Sequence, residues 1–268
     1  MIRKLVEEDR KMTMDFLGKE PAINLFIIGD IEAFGFDEDF QELWGQFDEQ
    51  NALEGVLLRF IESYIPYFAK ENFDAAGFKE TIDNAEGKII ISGKAKIVRE
   101  FLNMEEIYSA KNDYFCELTD NKLLQKGDNS NKIKVAKEKD AEKIAELLAK
   151  IVEFEGVSNS SDRIADKIKT KTGRVYYVEN EMGEMISLSQ TSAENSKSAM
   201  ITGVATLPEY RGKGIMSACL SKLCEDLLEE GKTLCLFYDN PKAGSVYHKL
   251  GFKSIDNWIM LSRENFKF

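Results

Sequence analysis

The chain has a single histidine, His248, among 268 residues, and its four cysteines, Cys116, Cys219, Cys224 and Cys235, include no C-x-x-C pair. That supply argues against a zinc site built from those residue types and against any mechanism resting on a histidine dyad. The thiols read as buried, inert side chains. Long apolar runs are missing too. PAINLFIIG, residues 21–29, falls far short of the roughly 20 residues needed to cross a bilayer. The opening MIRKLVEEDRKM is charged and holds no apolar targeting segment. Basic charge is scarce: 36 Lys and Arg stand against 47 Asp and Glu, for a net charge of −11. Nucleic acid and anionic membranes require a basic footprint, so neither is an expected partner. A soluble cytoplasmic protein is expected.

Hydrophobic residues make up 43 % of the chain, enough for a core, and the length suits one large domain or two ordinary ones. TDNKLLQKGDNSNK, residues 119–132, is polar and reads as a linker or an exposed loop. The segments on either side share a pattern. IRKLVEEDRKMTMDFL (2–17) aligns without gaps on IKVAKEKDAEKIAELL (133–148), matching Ile2 with Ile133, Glu7 with Glu138, Asp9 with Asp140 and Leu17 with Leu148. Each predicts a short strand, an acidic turn and a helix, with Asp140 as a helix cap in the second copy. Two related α/β halves follow.

In the first half, QELWGQFD and VLLRFI predict a hairpin. SYIPYFA holds Pro66 and predicts an edge or bent strand, KIIISG a buried one, and KAKIVREFL a helix. In the second half, SNSSDRIADKI predicts a capped helix, followed by a strand pair, the strand AMITGVAT (199–206), a helix running to about Glu230, the strand TLCLFY, a short helix from Pro241 and a closing strand WIMLS.

Between AMITGVAT and its helix lies PEYRGKGIMSACL (208–220). The first turn of a helix leaves N–H groups unpaired and carries partial positive charge, so an anion docks well there. Glycines let the backbone approach closely, and Arg211 and Lys213 add charge. A Walker A loop fails, because Lys213 is followed by Gly214 and not by Ser or Thr. A dinucleotide fingerprint has two of its three glycines, Gly212 and Gly214, with Ser217 in the third place. Five residues, Leu207 to Arg211, separate the strand from the first glycine, too many for that tight turn. A nicotinamide-linked enzyme is therefore a distant alternative.

A third pattern, R/Q-x-x-G-x-G/A, runs from Arg211 through Gly214 to Met216, with Met216 where the pattern has a small residue. A closing block N-x-x-A-x-x-x-Y-x-x-x-G-F is matched by Asn240, Ala243, Tyr247, Gly251 and Phe252. In these blocks, residues 131–268 resemble the GNAT superfamily of acyl-CoA N-acyltransferases. The resemblance implies an α/β (α+β) fold, a mixed central sheet flanked by helices and splayed open between its fourth and fifth strands. The matched openings of the halves extend this to two tandem copies: a degenerate GNAT-like domain at 1–120, a linker at 121–131 and a GNAT acyltransferase domain at 132–268.

The resemblance further implies acetyl-CoA as cofactor, with no metal. Val204, Ala205 and Thr206 would meet the pantetheine arm and the thioester. The loop of Arg211, Gly212, Lys213, Gly214, Ile215 and Met216 would meet the pyrophosphate. Asn240 would bond pantetheine or cap the helix after it. Tyr247 falls at the general acid's position; a placed phenol can protonate a leaving thiolate, and its alternative is a packed tyrosine beside Val246 and Leu250. Glu194, in the loop before the fourth strand, is the candidate base, against a plain solvated loop residue. Glu209 reads as an exposed turn and His248 as surface. The expected activity is N-acetyl transfer to a small-molecule or peptide amine by direct attack in a ternary complex. The competing class is a non-catalytic CoA-binding sensor or scaffold. Monomer and homodimer both remain open.

Overall fold

The computed structural model describes residues 1–36, 38–85, 87–102, 109–125, 132–154 and 160–263. Residues 126–131 of the expected linker lie outside them. The chain forms two units, Met1–Phe115 with Ser254–Phe268, and Cys116–Lys253.

Both units open alike. Strand β1 (Ile2–Lys4), a 3-10 turn at Glu7–Asp9 and helix α1 (Arg10–Leu17) begin the first; β7 (Ile133–Val135), a 3-10 turn at Glu138–Asp140 and α5 (Ala141–Ala149) begin the second. The turns are closed by one device. Asp9 Oδ2 accepts from the Val6 N–H at 3.0 Å, and Asp140 Oδ2 accepts from the Lys137 N–H at 2.9 Å. Asp140 does occupy the helix cap position, but its carboxylate turns back to the 3-10 turn and makes no cap bond to α5. Asp9 also takes the Arg3 fork at 2.6 and 2.8 Å.

The first unit continues through α2 (Leu25–Phe34), the hairpin β2 (Gln41–Phe47) and β3 (Leu53–Phe60), then β4 (Ser63–Phe68), α3 (Ala76–Asp83), β5 (Ile90–Lys94) and α4 (Ala95–Val98). Strand β6 (Ser109–Leu118) leads the chain into the second unit. There follow α6 (Ser161–Lys169), β8 (Val175–Glu179), β9 (Met185–Ser192), β10 (Ser198–Thr206), α7 (Ile215–Glu229), β11 (Thr233–Tyr238) and α8 (Pro241–Lys249). The closing strand β12 (Lys253–Ser262) returns to the first unit, pairing antiparallel with β5 from Trp258↔Lys94 to Ser262↔Ile90.

Each unit's strands pair in a mixed pattern. The first unit has the order β1-β2-β3-β4-β5-β12, parallel only at β4–β5; the second has β7-β8-β9-β10-β11, parallel only at β10–β11. Pro66 is not on an edge strand. It sits beyond the last β4–β5 pair, Tyr64↔Ile91, where β4 has left that neighbour and a missing N–H matters less.

The second sheet is packed on both faces. Ala199, Ile201 and Leu236 face α7 through Cys219, Leu220 and Leu223, while Leu188, Ala205 and Tyr177 face α5 and α6 through Ile144, Leu148 and Ile164. All four cysteines are buried thiols. No described helix is long and apolar enough to cross a membrane.

Replacing Asp140 with Ala removes one turn-closing bond and should cost about 1 kcal/mol in urea unfolding. Asp9→Ala should cost more, because it also strips Arg3 of its carboxylate.

Candidate active site

Strands β10 and β11 pair from Ser198↔Thr233 to Ile201↔Leu236 and then part. The cause lies in β10. Against β9, Ile201 faces Thr191 while Gly203 faces Gln190, so Thr202 is an extra residue, a β-bulge that bends its strand. Beyond it, Gly203 to Thr206 keep β9 on one side only. The gap is a cleft of about 680 Å³.

Val204, Ala205 and Thr206 line one wall, Asn240 and Tyr247 the other, and Arg211, Gly212, Gly214, Ile215 and Met216 close one end. Lys213 is not among the lining residues; its ammonium lies over the Tyr210 ring, 5.1 Å from the centroid. Gly212 and Gly214 have φ of 75° and 72°, the left-handed region, and a Cβ on either would meet nothing within 4 Å. Backbone conformation therefore demands these glycines, and the space in front of them is open. No side chain caps α7 at Gly214. By contrast, Asn240 caps α8, its side chain accepting from the Lys242 N–H at 2.9 Å, and Ser160 caps α6. Asn240 thus fulfils its cap expectation while also lining the cleft.

Tyr247 projects from α8, its ring 6.1 Å from those of Phe252 and Tyr238. Burial pushes its phenol up, so the hydroxyl keeps its proton at neutral pH. Tyr238 lies where a Cβ on Gly244 would come within 2.4 Å of its ring, so that glycine is required by close approach. His248 is exposed, as expected, yet it is engaged. Its Nδ1 lies 2.8 Å from the Phe252 carbonyl, an acceptor, so Nδ1 carries hydrogen. In the neutral ring, Nε2 then accepts from the Tyr238 hydroxyl at 2.9 Å.

The expectation that placed Glu194 at the acceptor is corrected. Glu194 is not a cleft residue, and its side chain is 2 % exposed. Arg174 grips it at 2.8 and 3.0 Å, Lys232 approaches to 3.3 Å and Thr191 donates a further bond. Its oxygens are consumed in tying β8, β9 and the residues before β11 together.

Two features were missed from sequence. Glu153, in the turn Val152–Phe154, lines the cleft and holds Arg211 through both guanidinium nitrogens. Nothing in VEFEG marks it, since only the fold brings it to Arg211. Lys167, on α6, turns inward: its Nζ donates to Gln190 Oε1 at 2.7 Å, and the Gln190 amide lies over Gly203, where a Cβ would come within 2.4 Å. Burial lowers the Lys167 ammonium from 10.5 to about 8.

The first unit repeats the parallel pair but not the opening. Beyond Tyr64↔Ile91, a Cβ on Gly93 would meet Val98 at 3.2 Å and the Pro66 carbonyl at 3.4 Å. Glu20 bridges the two strands, accepting from Tyr67 at 2.8 Å and Lys94 at 2.9 Å. At the start of α3, Asp74 accepts from the Ala76 N–H at 2.9 Å, so a carboxylate of the chain fills that place.

The strand pair that diverges at a bulge faces a glycine-fronted helix start. Residues 141–252 match the Acetyltransferase (GNAT) family. Among curated proteins nothing matches the chain. Among solved structures it is similar to a tandem GNAT protein from the clavulanic acid biosynthesis pathway, at 13 % identity and a TM-score of 0.57, covering 100 % of this chain and 99 % of that one. It is similar to a Drosophila protein at 10 % identity and a TM-score of 0.70, covering 97 % and 98 %. It is also similar to a GCN5-related N-acetyltransferase from Sphaerobacter thermophilus at 13 % identity and a TM-score of 0.60, covering 98 % and 94 %. The family match thus falls within the second unit, and over its length the chain shares its fold with a tandem GNAT protein.

The sign for Lys167 is set by its lowered value. Between about 8 and 10.5 the unfolded chain binds the proton that the folded chain has released, so stability rises with pH through that window. Lys167→Met should lack this rise; melting temperatures of both proteins from pH 7 to 10.5 measure it.

Proposed function

We propose that the second unit is an N-acetyltransferase, moving an acetyl group from acetyl-CoA to an amine acceptor by direct attack in a ternary complex. The observation that carries this reading is the uncapped start of α7, fronted by two left-handed glycines, at the end of a cleft lined by an unpaired strand edge.

These residues fit the group. Backbone N–H groups from Gly212 to Met216 suit a pyrophosphate, and the free edge from Gly203 to Thr206 suits the amides of a pantetheine arm. When bound, acetyl-CoA supplies a thioester activated toward amines. On the free edge the Val204 N–H would stabilise charge growing on the thioester oxygen, the Ala205 N–H being directed at β9. Tyr247 gives its proton to the departing sulfur, which its raised phenol retains until then. The first unit, with its gap filled by Val98 and bridged by Glu20, takes no second cofactor.

Calorimetry should give one acetyl-CoA per chain. Ligand at 100 times its Kd should stabilise the protein by about 2.7 kcal/mol, and Gly214→Asp should abolish both signals. Two molecules per chain would refute the closed first unit; no binding would end the acyltransferase reading.

Tyr247→Phe should lower kcat for amine-dependent thiol release by about 10²-fold or more, with acetyl-CoA affinity nearly unchanged. Binding without turnover across a broad amine panel would leave a CoA-binding module.

A further inference from the structure

Glu153 has no part in the reaction described above, yet it lines the cleft beside the glycine loop. Its Oε1 and Oε2 meet Arg211 Nη1 and Nη2 at 3.0 and 3.1 Å, two parallel bonds of the kind a guanidinium also makes to two phosphate oxygens. Arg211 is held for this work, because its Nε donates to the Thr206 carbonyl at 3.0 Å, at the end of β10. Arg211 directly precedes Gly212 and is the sole cation among the described lining residues. The guanidinium nearest the anion seat is therefore occupied by a carboxylate of the chain itself.

We infer that Glu153 sets the affinity of the cleft for phosphate-bearing ligands: in the free protein its carboxylate takes the Arg211 fork that the incoming pyrophosphate needs, and the ligand must displace it. The inference rests on the acyl-CoA reading of the same cleft. The pair is well suited to exchange. The side chains of Arg211 and Glu153 are 46 % and 61 % exposed, and an ion pair so wetted opens at little cost. A ligand carrying two phosphates at a helix start gains more from Arg211 than a single solvated carboxylate does. Glu153 thereby lowers affinity without blocking the cleft, and weakly bound anions, such as free phosphate, meet a neutralised arginine.

The test is calorimetry on wild type, Glu153→Gln, Arg211→Gln and the double variant, with two probes. CoA carries the phosphates; S-acetylpantetheine has the same arm without them. Glu153→Gln should tighten CoA by about two- to five-fold, the range expected for releasing one exposed ion pair. It should leave S-acetylpantetheine unchanged, and in the Arg211→Gln background the gain for CoA should vanish. Unchanged or weaker CoA binding by Glu153→Gln would overturn the inference. So would equal tightening of both probes, or a gain that persists without Arg211, since either reports general charge and not competition for the fork. If wild type itself binds no CoA, the acyl-CoA reading falls and this inference with it; if wild type binds and only the variant pattern fails, the inference alone is lost.

Discussion

Beyond Ile201 and Leu236 the parallel strands of the second unit stop sharing hydrogen bonds, and the rest of the candidate site depends on that parting. One extra residue, Thr202, bends β10 away from β11. The bend leaves the edge from Gly203 to Thr206 without a neighbouring strand on one side, where Arg211 takes the Thr206 carbonyl, and backbone groups at a strand edge are a template for an extended ligand. It also separates the start of α7, after one strand, from the start of α8, after the other. Gly214 and Tyr247 thus face one cleft from elements that the strands position independently.

The two units show how narrow the difference between an open and a closed gap can be. Both have the same order of strands and helices, the same aspartate-closed opening turn and the same lone parallel pair. In the first unit Val98 packs into the gap, Glu20 bridges it and Asp74, just before α3, accepts from the helix's first N–H. In the second unit the corresponding space is a cleft of about 680 Å³ and α7 has no side-chain cap. Shared topology therefore does not carry a shared site; a few side chains decide whether the strand edge is offered or covered.

Acidic residues are abundant in the chain, and their roles follow from partners more than from position. Glu194 is buried and held by two cations, which makes it a tie between β8, β9 and the approach to β11. Glu153 is exposed and held by one, which leaves it exchangeable. Burial separates the two cases: desolvation makes a bare Glu194 expensive, whereas water readily replaces Arg211 around Glu153.

The sequence by itself determined the repeat, from the matched openings at 2–17 and 133–148, and most elements, because hydrophobic period, caps and turns are local properties. It determined the glycine loop as well, since Gly212 and Gly214 are needed for left-handed backbone that other residues rarely adopt. Tyr247 and Asn240 were legible through their spacing to Gly251 and Phe252. Only the tertiary structure decided which carboxylates face the cleft, because Glu153 meets Arg211, and Glu194 meets Arg174 and Lys232, across long stretches of chain. It alone turned Lys167 inward onto Gln190, and it alone placed β12 beside β5 in the first unit. A strand's side-chain pattern records that one face is buried, not which neighbouring strand supplies its hydrogen bonds, and an acidic side chain carries no local mark of the cation it will meet.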